Sequence, residues 1–570
     1  MIGVLSKENE AKVVEEFFQL FKTPWEFYIQ DHSYDCVIAT SEDIPEHLNA
    51  ELLVIYHSDA IAFDHRADAN VQSRGRCDWI EWRGTELPIY GDLAVLGLDG
   101  EPFVQRKATG EPVAIDIEGL EQPAVRIGYD LFYEVEFLLS QGQPAENARI
   151  PTLDTHISLL RAIIVSRGVP IVEIPPTPAG YDFMACLTHD VDFVGIRDHK
   201  CDHTMWGFIY RCLVASPLQA LRGRFSWSKC RQNMVAAASL PLVHLAFLDD
   251  FWLEFERYME IEKESRSTFF FLPFKNVPGT LNNTTAPKRR GGKYDVREMK
   301  TQLLALLDRG FEVGLHGIDA WHNSESARAE LRRIGDLTGQ ADLGVRMHWL
   351  YWKDKSPRVL EDAEVEYDST FGYNDAIGFR AGTAQPFCPM IAQRLLELTL
   401  NIQDSAMFYS DRMKLSDAGA LEACRALIHS MTLFGGVLTV NWHTRSLSPE
   451  RLWGDFYTKL LGEIRAHRVW FGTARDVVAW FRKRRALLFG PVQFGLGRVN
   501  VALSGAVKDS APAFTVRVHY PMHVRDKSGA IRCTPAFMDA QWNGEESLVV
   551  PYASAQPDFS TEWLPVKGYL

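Results

Sequence analysis

MACLTHDVD, residues Met184–Asp192, decides the reading of this chain: a short apolar strand, Met184–Thr188, runs straight into His189, Asp190, Val191 and Asp192. The arrangement recurs downstream. Val313–His316 leads into His316-Gly317-Ile318-Asp319-Ala320-Trp321-His322, a strand predicted over Gly344–Trp349 carries Arg346 and His348, and Gly436–Val440 ends in Asn441-Trp442-His443. Ser267–Pro273 (STFFFLP) is a continuous apolar run, as expected of a parallel strand covered on both faces. Between the strands lie helical patterns. Phe251, Phe255 and Tyr258 share a face over Phe251–Ile261, and Met299, Leu303, Leu306 and Leu307 share one over Val296–Leu307, with Gly310 as its cap. Ser448-Pro449 is predicted to open a further helix, a cap residue followed by proline in the first turn. Strands alternating with helices predict an α/β fold with a parallel sheet or barrel. Its active site then gathers at the C-terminal ends of the strands.

Four strand ends thus send Asp, His, Arg and His towards one rim. One polar residue at a strand end is an ordinary loop side chain; four with ligand or acid–base chemistry point to a site. Imidazole and carboxylate together suit zinc or a neighbouring first-row metal. Such a metal makes water nucleophilic near neutral pH and polarises a carbonyl. The D-x-D pair, Asp190 and Asp192, places two carboxylates on one side of an extended strand, so that one can bind metal while the other accepts a proton. Motifs for zincin proteases, P-loop hydrolases, serine hydrolases and dinucleotide binding are absent.

The 570 residues exceed one ordinary core, so two or three domains are expected. Residues 1–180 read as an N-terminal α/β accessory domain, with short strands at Cys36–Thr40 and Leu52–Tyr56 and a buried helix within Ile127–Ser140. The proline-rich Glu173–Ala179 reads as a linker. Residues 181–486 form the repeated strand–helix unit. Residues 487–570 read as a small β domain, because Val499–Leu503 and Ala513–Tyr520 alternate apolar and polar side chains. A net charge of −14 argues against a nucleic-acid partner. No apolar run approaches the roughly 18 residues of a membrane-spanning helix. The charged start and nine scattered cysteines without a C-x-x-C pair predict a reduced, cytoplasmic chain.

The order LTHDVD, STFFFLP, EVGLHGIDAWH, GVRMHWL, YDSTFGYNDAIGFRAGT and LTVNWH resembles the polysaccharide deacetylases of carbohydrate esterase family 4 over roughly residues 181–485. The upstream LDTHISLLRAIIVSRGVP resembles the domain preceding the catalytic one in a bacterial exopolysaccharide-associated subgroup. The resemblance implies a distorted (β/α) barrel that hydrolyses acetyl groups from an amino-sugar glycan. It implies a divalent metal, zinc or else cobalt, nickel or manganese. It makes Asp190 the base, Asp192 and His316 metal ligands, Arg346 the residue holding the base, and His443 the general acid. The usual partner of His316 lies four residues on, where this chain has Ala320. His322 is favoured as third ligand, with Asp319 and His348 as alternatives. His348, Trp349 and Arg380 are candidates for contact with substrate or oxyanion, and the loop Lys288–Lys293 (KRRGGK) lines a groove or is a solvated turn. Within enzymes the rival is a small-amide hydrolase; outside them, a silent glycan-binding module.

Residues 204–231 follow the D-x-D as a long insertion. Met205, Trp206, Phe208, Ile209, Leu213 and Val214 give it an apolar side; Arg211, Arg222, Arg224, Lys229 and Arg231 are its only charges. A helical lid on the barrel fits this composition. So does peripheral contact with an anionic inner-membrane surface, which would bring the site to a lipid-linked glycan.

Overall fold

Strand Phe183–Val191 is buried along all nine residues, as its apolar sequence requires. In this computed structural model it is the centre of a parallel sheet. The structure describes residues 1–551 except 68, 98–101, 118–119, 121, 224, 282–283, 496, 506–511 and 526–530. On one side Phe183–Val191 pairs with Ser267–Phe271, then Glu312–Gly317, then Val345–Met347; on the other it pairs with Val437–Asn441, which pairs with Ile402–Gln403. Every one of these pairings is parallel. Val469–Phe471 joins the start of the central strand. Isolated parallel bridges continue beyond Val345 to Asp368 and from Asp368 to Glu397. The segment holding Glu397 and Ile402 therefore touches both margins of the sheet.

The helices between the strands follow the apolar spacing, with shifted ends. The segment Val296–Leu307 is a short 3-10 turn, Val296–Met299, continued by helix Lys300–Asp308, and Gly310 takes φ 80° just beyond it. The helix in Phe251–Ile261 starts only at Phe255. Ser448-Pro449 does not open a helix. Ser448 ends the 3-10 turn Thr444–Leu447, and the helix begins at Gly454. The cause lies in Glu450, a carboxylate drawn into a buried cluster of arginines that holds residues 448–453 as a loop.

The first part of the chain builds a nine-stranded mixed sheet, parallel from Trp25–Phe27 through Ala124–Ile127 and antiparallel across Pro112–Ile117, Val104–Arg106, Asn70–Trp82 and Thr85–Gly97. Helix Leu131–Ser140, capped by the Asp130 carboxylate, packs on it. Past Ala486 the described strands form two small antiparallel sheets. One is Leu488–Gly495, Arg498–Ser504 and Ser547–Pro551. The other is Phe514–Arg525 and Ile531–Trp542 with Ile171–Glu173 added at its edge. The stretch read as a linker is therefore fixed. Glu173 is a buried strand residue bound to Arg161 and His519, and the carbonyls of Ile174 and Pro175 accept from Arg484.

Candidate metal centre and active site

Strand periodicity sorts the residues of the D-x-D run. Thr188 and Asp190 turn to one side, and His189 turns to the other. His189 lies against Tyr258 and Phe269 and bonds to the Trp442 carbonyl and the Glu262 carboxylate, so it belongs to the core. On the neighbouring ladder His316 pairs in register with Arg346, so both project from the same pleat. His348 follows Arg346 by two and returns to that side. The backbone just after it is bent, with Trp349 at φ 64° and Leu350 at φ 52°.

These strand ends bring Asp192, His316 and His348 together. Asp192 Oδ1 lies 3.2 Å from His316 Nε2 and 3.2 Å from His348 Nδ1, and the two nitrogens are 3.0 Å apart. A tetrahedral ion with ligand bonds near 2.0–2.1 Å separates its ligand atoms by about 3.3 Å, so a single ion fits this triangle. Two further observations agree. Asp192 Oδ1 is a buried carboxylate oxygen without a hydrogen-bond donor. His316 Nδ1 is 2.9 Å from the Arg346 carbonyl, which fixes its proton there and leaves Nε2 free to ligate. Burial holds His348 below the usual histidine range, in the neutral form a ligand needs.

Asp190 stands beside this triangle but is held by other groups. Its Oδ1 accepts from Arg346 Nη1 at 3.2 Å and its Oδ2 from Asn441 Nδ2 at 2.8 Å. Burial pushes its carboxyl up, but His316, Arg346 and His443 outweigh that and keep it below the usual range. Arg346 is itself fully buried. It bonds to Thr188 Oγ1 at 2.6 Å, to the Ser369 carbonyl at 2.9 Å and to Ser369 Oγ at 2.8 Å, and lies over the Phe270 ring.

His443 faces the triangle from the other side, its Nε2 3.7 Å from Asp192 Oδ2. Its Nδ1 is 2.6 Å from Asp404 Oδ1, and its backbone N–H donates to Asp404 Oδ2 at 2.9 Å. Burial lowers the pKa of His443, yet the charge and hydrogen bond of Asp404 more than reverse this and raise it to about 9. Asp404 also accepts from Ser446. Asp404 and Asn441 carry little sequence signal. Asp404 follows Ile402–Gln403, a two-residue strand too short to show periodicity, and Asn441 closes an apolar strand with a neutral side chain that is neither ligand nor acid.

Other expected residues lie outside the triangle. His322 is exposed; its backbone N–H bonds to the Asp319 carbonyl and its ring rests on Trp321. The turn after Gly317 is closed early, because the buried Glu330 carboxylate accepts the N–H groups of Ile318 and Asp319. Asp319 is engaged with the Thr280 N–H at 2.7 Å. Arg380 donates to the Gly372 carbonyl and lies over the Phe371 ring, packed beside Gly142 from the first sheet's side of the molecule. Trp349, half-buried, sits next to His348 with Arg289 over its ring. In the same basic loop Arg290 is fully buried on Tyr351 and donates to the carbonyls of Pro278, Ile318 and His348. That loop is therefore a brace behind His348, with Arg289 turned to Trp349.

No protein-family model matches the chain, and no curated protein matches it. Solved structures do. A putative polysaccharide deacetylase from Mycobacterium smegmatis shares 17% identity, covering 54% of this chain and 95% of its own, with a TM-score of 0.32. PuuE allantoinase shares 13%, covering 54% and 92%, with a TM-score of 0.32. The carbohydrate deacetylase Agd3 shares 8%, covering 97% and 98%, with a TM-score of 0.35. Polysaccharide deacetylases, the family that the motif order resembles, are thus among the solved structures to which this chain is similar.

Proposed function

We propose that this chain is a metal-dependent hydrolase that removes N-acetyl groups from an amino-sugar glycan. The observation that carries the reading is the flanking of one ligand triangle by two different proton-handling groups. Asp190 is held off the triangle by Arg346 and Asn441, and His443 is bound through Nδ1 by the Asp404 carboxylate, which favours its protonated form. Residues 181–486 are read as a distorted (β/α) barrel, supported by the bridges through Asp368 and Glu397 to both margins of the sheet. Residues 1–180 and 487–570 are read as the accessory and β domains.

Asp192, His316 and His348 are the ligands in this reading, with His348 in the place first given to His322. The divalent cation they would hold, zinc by the donor set, supplies a Lewis acid that lowers the pKa of water and polarises a carbonyl. Asp190 accepts the proton of the attacking water, and Arg346 and Asn441, one on each oxygen, fix the carboxylate that receives it. His443 gives its proton to the departing amine nitrogen and is oriented by Asp404 through Nδ1. Trp349 and Arg289 offer a flat, charged platform beside His348 for a sugar ring. The compartment proposed is the cytoplasm; among the described residues no helix is long and apolar enough to cross a membrane.

Metal analysis of the purified chain, with acetate release from acetylated oligosaccharides, tests the proposal. Stoichiometric zinc and acetate release removed by chelation are expected. Metal-loaded protein that binds the oligosaccharides without releasing acetate would sink it in favour of a silent module. Turnover of small amides alone would move the substrate class.

A further inference from the structure

Of the exposed large apolar side chains among the described residues, fourteen of twenty-six lie between Trp206 and Leu253. The insertion after the D-x-D is a helical hairpin. Its first arm is helix His203–Tyr210, the π turn Arg211–Ala215 and helix Ser216–Leu221, run end to end; its second is helix Trp227–His244. The inner faces form a core of their own, with Phe208 and Cys212 against Ala236, Leu240 and Trp252. A helix with one face buried is expected to be polar on the other. Here it is not. Trp206, Tyr210, Leu213, Leu218 and Leu221 recur every three to five residues along the outside of the first arm, with Trp206 58% and Leu221 71% exposed. Trp227, Met234, Val235, Leu242 and Leu245 are exposed on the second arm at wider spacing, and Phe247, 75% exposed, follows its end.

Charge distinguishes among the surfaces that would cover these stripes. From His203 to Leu248 there is no acidic residue, Asp202 bounding the window on one side and Asp249 and Asp250 on the other, on a chain whose net charge is −14. Arg211 is committed to Glu450 and Lys229 to Leu452 and Asp455, while Arg222 and Arg231 are exposed beside Leu221 and Trp227. Tryptophan, tyrosine and leucine with basic neighbours and no acid is the composition of a helix lying in the headgroup region of an anionic bilayer. The hairpin is also anchored to the site. Asn233 donates to Ser216 Oγ on the first arm at 2.8 Å and accepts the Glu450 N–H at 2.6 Å, and Arg211 and Arg445 share the Glu450 carboxylate. Glu450 lies seven residues beyond His443.

We propose that the outer face of this hairpin docks on an anionic lipid surface, lying in the interface without crossing it. The docking stands independently of the hydrolytic reading. If both hold, the catalytic rim is presented to glycan carried at a membrane.

The test is co-sedimentation of the full chain with vesicles of phosphatidylcholine alone and of phosphatidylcholine with phosphatidylglycerol. Pelleting with the anionic vesicles at low salt, reduced at high salt, is expected. Leu221→Glu with Phe247→Glu should abolish it while acetate release from a soluble oligosaccharide is unchanged. Arg222→Gln with Arg231→Gln, which leaves both stripes intact, should weaken binding about 30-fold. Absence of pelleting at low salt, or equal pelleting by the Glu variant, overturns the proposal. So does a concentration-dependent dimer in sedimentation that Leu221→Glu dissociates, since the face would then belong to a second copy.

Discussion

Asp190 and Asp192 lie two residues apart and meet different surroundings. Asp190 is bound by a guanidinium and an amide, whereas Asp192 offers a bare oxygen to two imidazoles. Asp190→Asn should therefore abolish acetate release and leave bound metal unchanged in atomic absorption, and loss of metal would make it a ligand. His348→Ala should cost far more metal affinity than His322→Ala, by isothermal titration. The reverse order would restore His322. At His443 the sign of the pH effect follows from its raised pKa. In metal-free protein the folded state binds this proton more tightly than the unfolded chain does. The stabilisation is full below about pH 6.5 and is lost as the pH rises through about 9. Asp404→Asn should lower the imidazole pKa seen by NMR and move the alkaline limb of kcat to lower pH. A limb that stays in place would remove His443 from the role of acid. The placement of the carboxylates and His443 at one rim is legible because they end strands. Which of His322, Asp319 and His348 comes nearest His316 is not, since sequence spacing measures distance along one loop while His316 and His348 meet across a ladder.

Among the elements, the strands were the most legible, because double-sided burial writes them as unbroken apolar runs such as STFFF. Ser448-Pro449 has a valid helix-start signal that tertiary charge overrides, since Glu450 satisfies three arginines only from a loop. The KRRGGK loop was ambiguous for a related reason: composition does not say which arginine turns inward. Arg290 does, and it holds the His348 carbonyl. Arg290→Met should lower metal affinity about 10–100-fold, as loss of a group supporting a ligand typically does. The neighbouring Arg289→Met should leave metal affinity alone and weaken glycan binding. Equal effects of the two on metal titration would contradict this division.

At the scale of the whole molecule, Arg484 ties the parts together. Fully buried in the last helix before the C-terminal strands, it donates to the carbonyls of Gln19, Leu20, Ile174 and Pro175. Such long-range ties leave no local pattern, which is why the proline-rich Glu173–Ala179 reads as a linker in the sequence. Arg484→Met strands several buried carbonyls and should cost about 3 kcal/mol or more of stability in denaturant titration. A loss within about 0.5 kcal/mol would mean that the parts are joined mainly by other contacts. The ligand triangle has a consequence of the same long-range kind. Its three members come from three strand ends, 124 residues separating Asp192 from His316 and 32 separating His316 from His348, so no short peptide of this chain contains all three. An emerging or refolding chain does not yet possess the triangle, which exists only once the sheet is complete. In the proposed reading, selection is made by a finished aperture, so which cation the triangle acquires should reflect what is present after folding.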